Sequence, residues 1–343
     1  MPLSRDNHYI PRMYLSRWLT CGKISVYHLL VSHDNVYLWN RESIRRVGCL
    51  QNLYVNVWRD EELDNLEHEL DTLIESPAKL PFDKICNGEA LTCDDWRKVC
   101  NYIAIQYVRT PAFYFYIKQK GAKFLEEEIE KLGKQLTEVK EIPKTKRHLI
   151  DSTDYLPIDV SITDEKPDDG HTNVKVFAIA GKGIWLFQIK QTMLKDSVIL
   201  RYFQNLRWNI ITAPDGETWP TCDNPVVICD VDSNMIVRSS YSSGIAGRSK
   251  AVLFPLSPKI VLLATTKRSY RWHNIHADKK LADMIRIAIV NNAMMCVYSS
   301  TEDQTIPKIR PRIVTKKEYM RIKNEFDSWF DSYKEIEGPL LNK

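Results

Sequence analysis

The sequence lacks the short signatures from which a reaction is most directly read. No GxxxxGK[ST], GxGxxG, GxSxG or HExxH occurs, so a phosphate-cradling glycine loop, a nucleophile elbow and a helical zinc pair are all excluded. It also lacks any apolar run long enough to span a bilayer, and Arg5, Asp6, Asn7 and His8 stand where a secretory leader would be apolar. The expectation is a soluble, cytosolic protein without a membrane partner. Cysteine occurs eight times, yet no two form a CxxC pair and none sits in a tight Cys/His knot. Neither a zinc ribbon nor a disulfide framework is signalled, and the thiols read as reduced, small apolar residues. No metal and no cofactor are expected.

What is there is ample apolar material. With 44% hydrophobic and 10% aromatic residues over 343 positions, the chain can bury a large core, in one domain or in two closely packed ones. The net charge of +4 is modest but unevenly spread. Arg59 to Glu75 carries eight acids against one base, whereas Ile236 to Lys323 carries seventeen Lys/Arg against five Asp/Glu. A basic stretch of this kind suits a polyanion, because phosphate contacts supply most non-specific nucleic-acid affinity. RNA or DNA is therefore one expected partner and a regulatory protein another. The plainer alternative is that the two charged regions attract each other or that the bases coat a solvated surface.

Periodicity gives an outline. Pro11 to Leu19 reads as a short helix whose Met13, Tyr14 and Trp18 face the core. A strand pair follows in 23-KISVYHLL-30 and 34-DNVYLWN-40. In 60-DEELDNLEHELDTLIE-75, Leu63, Leu66, Leu70 and Leu73 form one helical stripe, stopped by Pro77 and Pro81. A second helix, 91-LTCDDWRKVCNYIAIQYVRTP-111, is capped by Thr92, and a charged helix runs on to residue 142. The segment 143–173 reads as an insertion or linker. Beyond it, 174–180, 184–190, 206–213, 225–231, 251–257 and 260–266 look like strands, with helices near 192–204 and 277–295. The expected class is α+β, with a helical N-terminal half packed on a mixed or antiparallel sheet drawn largely from the C-terminal half. The expected divisions are 1–142 mainly helical with a strand pair, 143–173 the insertion, 174–323 sheet-rich and 324–343 a helical tail, within one compact domain.

Polar residues against this pattern are the candidate site. Gln106 continues the row Val99, Ile103, and Arg109 lies one turn from Gln106, next to Tyr102 and Ile105; buried groups of this kind need partners. Asp223-Asn224-Pro225 places a carboxylate at a strand edge, able to meet Arg109 or Arg12. In 270-YRWHNIHADKK-280, aromatics alternate with bases, a pattern that suits stacking and phosphate contact and suits a solvated loop equally. Lys267, Arg268, Tyr270, Arg271, Trp272, Lys279 and Lys280 are the candidate nucleic-acid contacts. His273 and His276 have no third ligand nearby.

The stretches 7-NHYIPRMYL-15, 53-LYV-55 with 66-LEHEL-70, 105-IQYVRTP-111, 222-CDNPVV-227, 254-FPLSP-258 and Asn291/Asn292 before 297-VYS-299 together resemble a bacterial family, the DUF4238 domains of unknown function. Cys222 stands where that pattern usually has serine, and Trp18 where it more often has phenylalanine. The resemblance carries no established activity. It implies that His8, Gln106, Arg109 and Asp223/Asn224 belong to one constellation, a shared pocket or a polar network that specifies the fold.

Two functional expectations follow. In the first the protein is a metal-independent ribonuclease, or another toxic effector of a bacterial defence or toxin–antitoxin type system. His8 is then general base or acid, Arg12 and Arg109 stabilise phosphate charge, Gln106 and Asn224 belong to the same centre, with Gln106 orienting substrate, and Asp223 orients His8. In the second the same set is a buried strut inside a non-catalytic binding or regulatory module.

Overall fold

Strands Lys250–Ser257 and Ile260–Thr265 are apolar on both sides of the pleat, and their antiparallel pairing forms the middle of a six-stranded sheet. The computed structural model describes residues 6–58, 61–63, 65–120, 161–165, 173–177, 182–231, 237–239, 250–265 and 275–327, and everything below concerns these. The strand order is Val237–Ser239, Val227–Val231, Lys250–Ser257, Ile260–Thr265, Arg207–Thr212 and Ile275–His276. Neighbours are antiparallel except Ile275–His276, which runs parallel to Arg207–Thr212.

Side chains alternate between two cores, as a period of two requires. Ile228, Val252, Phe254, Leu262 and Ala264 join the first, with helices Ser76–Cys86, Cys93–Val108, Lys182–Met193 and Val198–Gln204. Val227, Cys229, Ala251, Leu253, Val261 and Leu263 join the second, with Ala282, Ile285, Ala288 and Ile289 of helix Lys279–Asn292. A sheet covered on both faces explains why these strands read as unbroken apolar runs rather than as alternating ones. A second, four-stranded antiparallel sheet straddles both cores. Its order is Thr221–Cys222, Cys296–Ser299, Ile24–His28 and Asn40–Glu42, with Val26 and Tyr298 in the first core and Tyr27 and Val297 in the second.

The class is mixed α and β, as expected, but helices and strands are interleaved along the chain. Residues 184–190, expected as a strand, lie in helix Lys182–Met193, where Trp185 and Ile189 share one buried face at helical spacing. The segment expected as a linker holds strand Ser161–Glu165, paired with Asn173–Phe177. The helix expected over 192–204 is broken after Met193, and Ser197 caps its second part by accepting from the Leu200 amide at 3.3 Å.

The proline stop is overturned as well. Glu61–Leu63 is a strand, helix Asn65–Leu70 begins after it, a π turn covers Asp71–Glu75, and helix Ser76–Cys86 continues through Pro77 and Pro81. Pro77 falls in the first turn of a fresh α segment, where a missing N–H costs little. The wide π turn also rotates the buried stripe. Leu66, Leu70, Ile74, Ala78 and Phe82 are buried at steps of four, while Leu73, expected inside, is exposed.

Helix Cys93–Val108 is the central element. Thr92 and Asp95 form a capping box, with the Thr92 hydroxyl accepting from the Asp95 amide and the Asp95 carboxylate accepting from the Thr92 amide. Such a cap is worth about 1 kcal/mol. Lys84 and then the Thr92 amide hold the Asp95 carboxyl down at about 2. From Val99 to Val108 the helix is buried on nearly every side, so each polar group it carries must be paired inside the protein.

Candidate functional site

The N-terminal segment enters the molecule as strand Asp6–His8, paired antiparallel with Cys49–Gln51. Gly48 permits the approach. Its φ is +65°, and a Cβ there would stand 2.9 Å from Cβ of Ile10, whose amide donates to the Gly48 carbonyl at 3.1 Å. Helix Arg12–Leu15 and the 3-10 turn Ser16–Trp18 then bury Tyr14, Leu15 and Trp18. The Tyr14 hydroxyl donates to the Pro255 carbonyl at 2.7 Å and the Trp18 indole to the Trp219 carbonyl at 2.9 Å. Tyr14 and Trp18 are core anchors, as their spacing predicts; Met13 is only partly buried.

Between these two pieces lies Tyr9, and the central helix grips its backbone. Gln106 Nε2 donates to the Tyr9 carbonyl at 2.9 Å, and Arg109 Nε donates to the same oxygen at 3.0 Å. Arg109 is 1% exposed and pairs through Nη1 with Glu75 Oε1 at 2.8 Å, at the end of the π turn. Burial alone would lower the guanidinium pKa. The Glu75 charge and hydrogen bond, with the Tyr54 and Tyr102 phenols, together outweigh it and the value rises, so Arg109 stays cationic inside the protein.

The Tyr9 phenol is hydrogen-bonded to Tyr298 and titrates well above its ordinary value, because of burial first and the nearby Asp223 charge second. Asp223 does not meet Arg109 or Arg12, contrary to expectation. Its carboxylate accepts three backbone amides in the turn after helix Lys279–Asn292: Met294 at 2.7 Å, Met295 at 2.6 Å and Cys296 at 3.1 Å. Burial pushes its pKa up to about 6, against the pull of those amides. Asn224 Nδ2 donates to the Asn292 carbonyl at 3.1 Å, and Asn292 Nδ2 donates back to the Asn224 carbonyl at 2.6 Å. Thr110, one residue past Arg109, donates to Asn224 Oδ1 at 3.3 Å. The three sequence stretches around Tyr9, Gln106–Thr110 and Asp223–Asn224 therefore do meet, and they meet mostly through each other's backbones.

His8 sits at the rim of this cluster, 9% exposed, with Nε2 3.2 Å from the Ile44 carbonyl. Burial first and the Arg12 charge second lower its pKa, which favours the neutral ring. A neutral imidazole against a carbonyl must donate from Nε2, so its Nδ1 is a bare lone pair, and that atom has no partner among the described residues. Arg12 is exposed and close enough for its charge to act on His8, but it joins none of the contacts made by Gln106, Arg109 or Asp223.

Of the expected nucleic-acid contacts, Lys267, Arg268, Tyr270, Arg271 and Trp272 lie outside the described residues, as does His273. Lys279 is exposed but held by Glu217 at 2.7 Å and Asp283 at 3.1 Å; Lys280 is exposed. His276 is exposed on a short strand, and among the described residues no three His, Cys, Asp or Glu side chains stand where they could share a metal ion. All eight cysteines are free.

Several members of the cluster were missed in the sequence. Glu75 is the counter-charge of Arg109, hidden in a run of acids that reads as a solvated face. Lys182 is 3% exposed and donates to the carbonyls of Asn52 at 2.8 Å and Val55 at 3.0 Å, fastening the loop beside the N-terminal strand. Cys296 Sγ lies 3.4 Å from Nδ1 of His28 across a strand pair. Burial holds that thiol well above its usual pKa, so the pair is an uncharged contact. Only the last has a local signal, since both residues stand in strand-forming sequence.

The features together define a mixed α and β protein whose N-terminal segment is held at Tyr9 by the amide and guanidinium groups of a buried helix, the guanidinium in turn paired with a carboxylate. A family model described as protein of unknown function (DUF4238) matches residues 6–303, and the chain belongs to that family. No curated protein and no solved structure matches the chain. No described helix is long and apolar enough to cross a membrane.

Proposed function

We propose that the protein is a non-catalytic binding module in which the His8, Gln106, Arg109, Asp223 and Asn224 set is structural and a basic surface meets the partner. The observation that carries this reading is the commitment of the set to the chain's own backbone. Gln106 and Arg109 converge on one carbonyl, and Asp223 accepts three amides. A catalytic group has to reach substrate, and four of these five residues are no more than 3% exposed. Uncompensated basic surface, described below, supplies the interaction.

A second reading has one observation in its favour. Nδ1 of His8, without a partner among the described residues, and the exposed Arg12 whose charge acts on the ring are the acceptor and the cation that a metal-independent ribonuclease or toxic effector needs. Incubating the purified chain with total RNA and with plasmid, with and without EDTA, separates the two. The binding reading expects intact substrates throughout. Cleavage that survives EDTA and disappears in His8→Ala, with the fold retained by circular dichroism, overturns it in favour of the ribonuclease.

A further inference from the structure

We propose that the outer edge of strand Ile313–Val314 is the docking site for an extended, acidic segment of a partner protein. The inference rests on the binding reading above and adds the place and the class of partner.

The edge is open. Ile313–Val314 pairs in parallel with Leu30–Val31, and among the described residues it has no second neighbour. The amides that face inward are those of Ile313, donating to Leu29 at 2.8 Å, and Thr315, donating to Val31 at 3.0 Å. Alternation along a strand turns the Val314 amide and carbonyl to the other side, where an added strand finds them. The side chains are as open as the backbone, with Ile313 61% and Val314 37% exposed. Tyr37, in the loop that Arg312 holds, is 80% exposed. Proteins ordinarily protect such an edge, because it recruits other strands.

Its flanks are positive and stay so. From Gln304 to Lys317 the chain carries Lys308, Arg310, Arg312, Lys316 and Lys317 and no acid. Arg310 is satisfied by the carbonyls of Val290, Asn291 and Ala293, and Arg312 by those of Asp34, Val36 and Tyr37. A carbonyl fills the guanidinium's hydrogen-bond positions without cancelling its charge. Lys308, Lys316 and Lys317 are exposed. Among the described residues none of the five makes an ion pair: Glu318 is taken by Arg321, and the buried Asp223 carboxylate acts on Arg310 only at a distance. By contrast Arg286, in the preceding helix, is ringed by Glu217, Asp283 and Asp303. The outward amide and carbonyl of Val314 select polypeptide over nucleic acid, and the unpaired positive charge of the flanks selects acidic side chains.

The test is fluorescence anisotropy on the full chain with three labelled probes: a short peptide alternating glutamate and valine, its lysine counterpart, and a single-stranded RNA. The acidic peptide is expected to bind saturably and the lysine peptide not at all. Val314→Pro removes the outward amide, keeps both inward ones and suits an edge position, so it should weaken the acidic peptide about tenfold. The combined change Lys316→Glu with Lys317→Glu, at exposed positions, should weaken it at least as much while leaving the thermal midpoint in place. It keeps the proposal testable if Val314→Pro fails to fold. Absent binding of the acidic peptide, equal binding of the lysine peptide, or undiminished binding by either folded variant overturns the proposal. So does RNA binding through the same lysines by a chain that ignores the acidic peptide. EDTA-resistant RNA cleavage by a chain that also binds the acidic peptide would instead overturn the binding reading and leave the docking edge standing.

Discussion

Arg109 and Arg310 bind the same kind of acceptor, a backbone carbonyl, in opposite electrostatic settings. Arg109 is sealed inside the first core with a carboxylate at 2.8 Å, so its charge is cancelled where it stands. Arg310 is only partly buried and closes the end of helix Lys279–Asn292 over three carbonyls; among the described residues it has no ion pair, and the Asp223 carboxylate acts on it only at a distance. One arginine is a strut for the fold; the other is a strut that also contributes to a surface field. Residue type therefore does not separate paired from unpaired cations in this protein. The counter-charge does.

The comparison breaks most sharply at Arg109. Arg109→Ala strands the Glu75 carboxylate, whose side chain is 18% exposed, and removes one of two donors to Tyr9. A loss of about 2–4 kcal/mol is expected in urea unfolding, because the penalty is an uncompensated, partly buried charge as well as a lost contact. Combining it with Glu75→Gln should recover part of that loss. A single-variant loss below about 1 kcal/mol would mean that the pair is not holding the N-terminal strand.

Asp223 offers a second break, on pH. Its folded pKa of about 6 lies above the ordinary value of 3.8, so within that window the folded state holds more proton than the unfolded one. Stability contributed by this group is present below the window and is lost as pH rises through it, by on the order of 3 kcal/mol. His8 and His28 act the other way. Their pKa values are lowered by burial, so the unfolded state takes up protons first and stability falls as pH drops below about 6.5. The net profile of the wild type is flattened by this opposition. The Asp223→Asn variant isolates one side, and the wild type should gain on it steadily as pH falls from about 6 to 4. A constant difference between the two would show that the three amides, and not desolvation, dominate at Asp223.

Some of this was legible in the sequence and some could not be. The Thr92 cap, the Tyr14 and Trp18 anchors and the strands either side of Pro258 follow from local preference and period, and they stand where predicted. Gln106 and Arg109 were recognisable as polar intrusions on an apolar helix, but their acceptor is a carbonyl, which no side-chain pattern reveals. Residues 184–190 failed because an unbroken apolar run satisfies a helix buried on several sides as well as a strand covered on two. Leu73 failed because a single π turn shifts the stripe, and nothing in 71-DTLIE-75 announces one. Asp223 was placed at the right junction and given the wrong partner. A carboxylate can be met by an arginine or by backbone amides, and only the chain's path decides between them.

The smallest effect tests the surface side of the comparison. Arg310→Ala frees three carbonyls at the C-terminal end of helix Lys279–Asn292, and because the site is partly open, water replaces most of what is lost. The expected cost is about 1–2 kcal/mol, below that at Arg109. Arg310→Lys keeps the charge but gives up the planar fork that reaches several carbonyls together, so it should recover little stability while leaving the surface potential intact. Equal stability loss with unchanged binding of the acidic probe in Arg310→Lys, and loss of both in Arg310→Ala, would assign the hydrogen bonds to the fold and the charge to the partner. If binding instead follows stability in both variants, the charge has no role of its own and the distinction drawn between Arg109 and Arg310 fails.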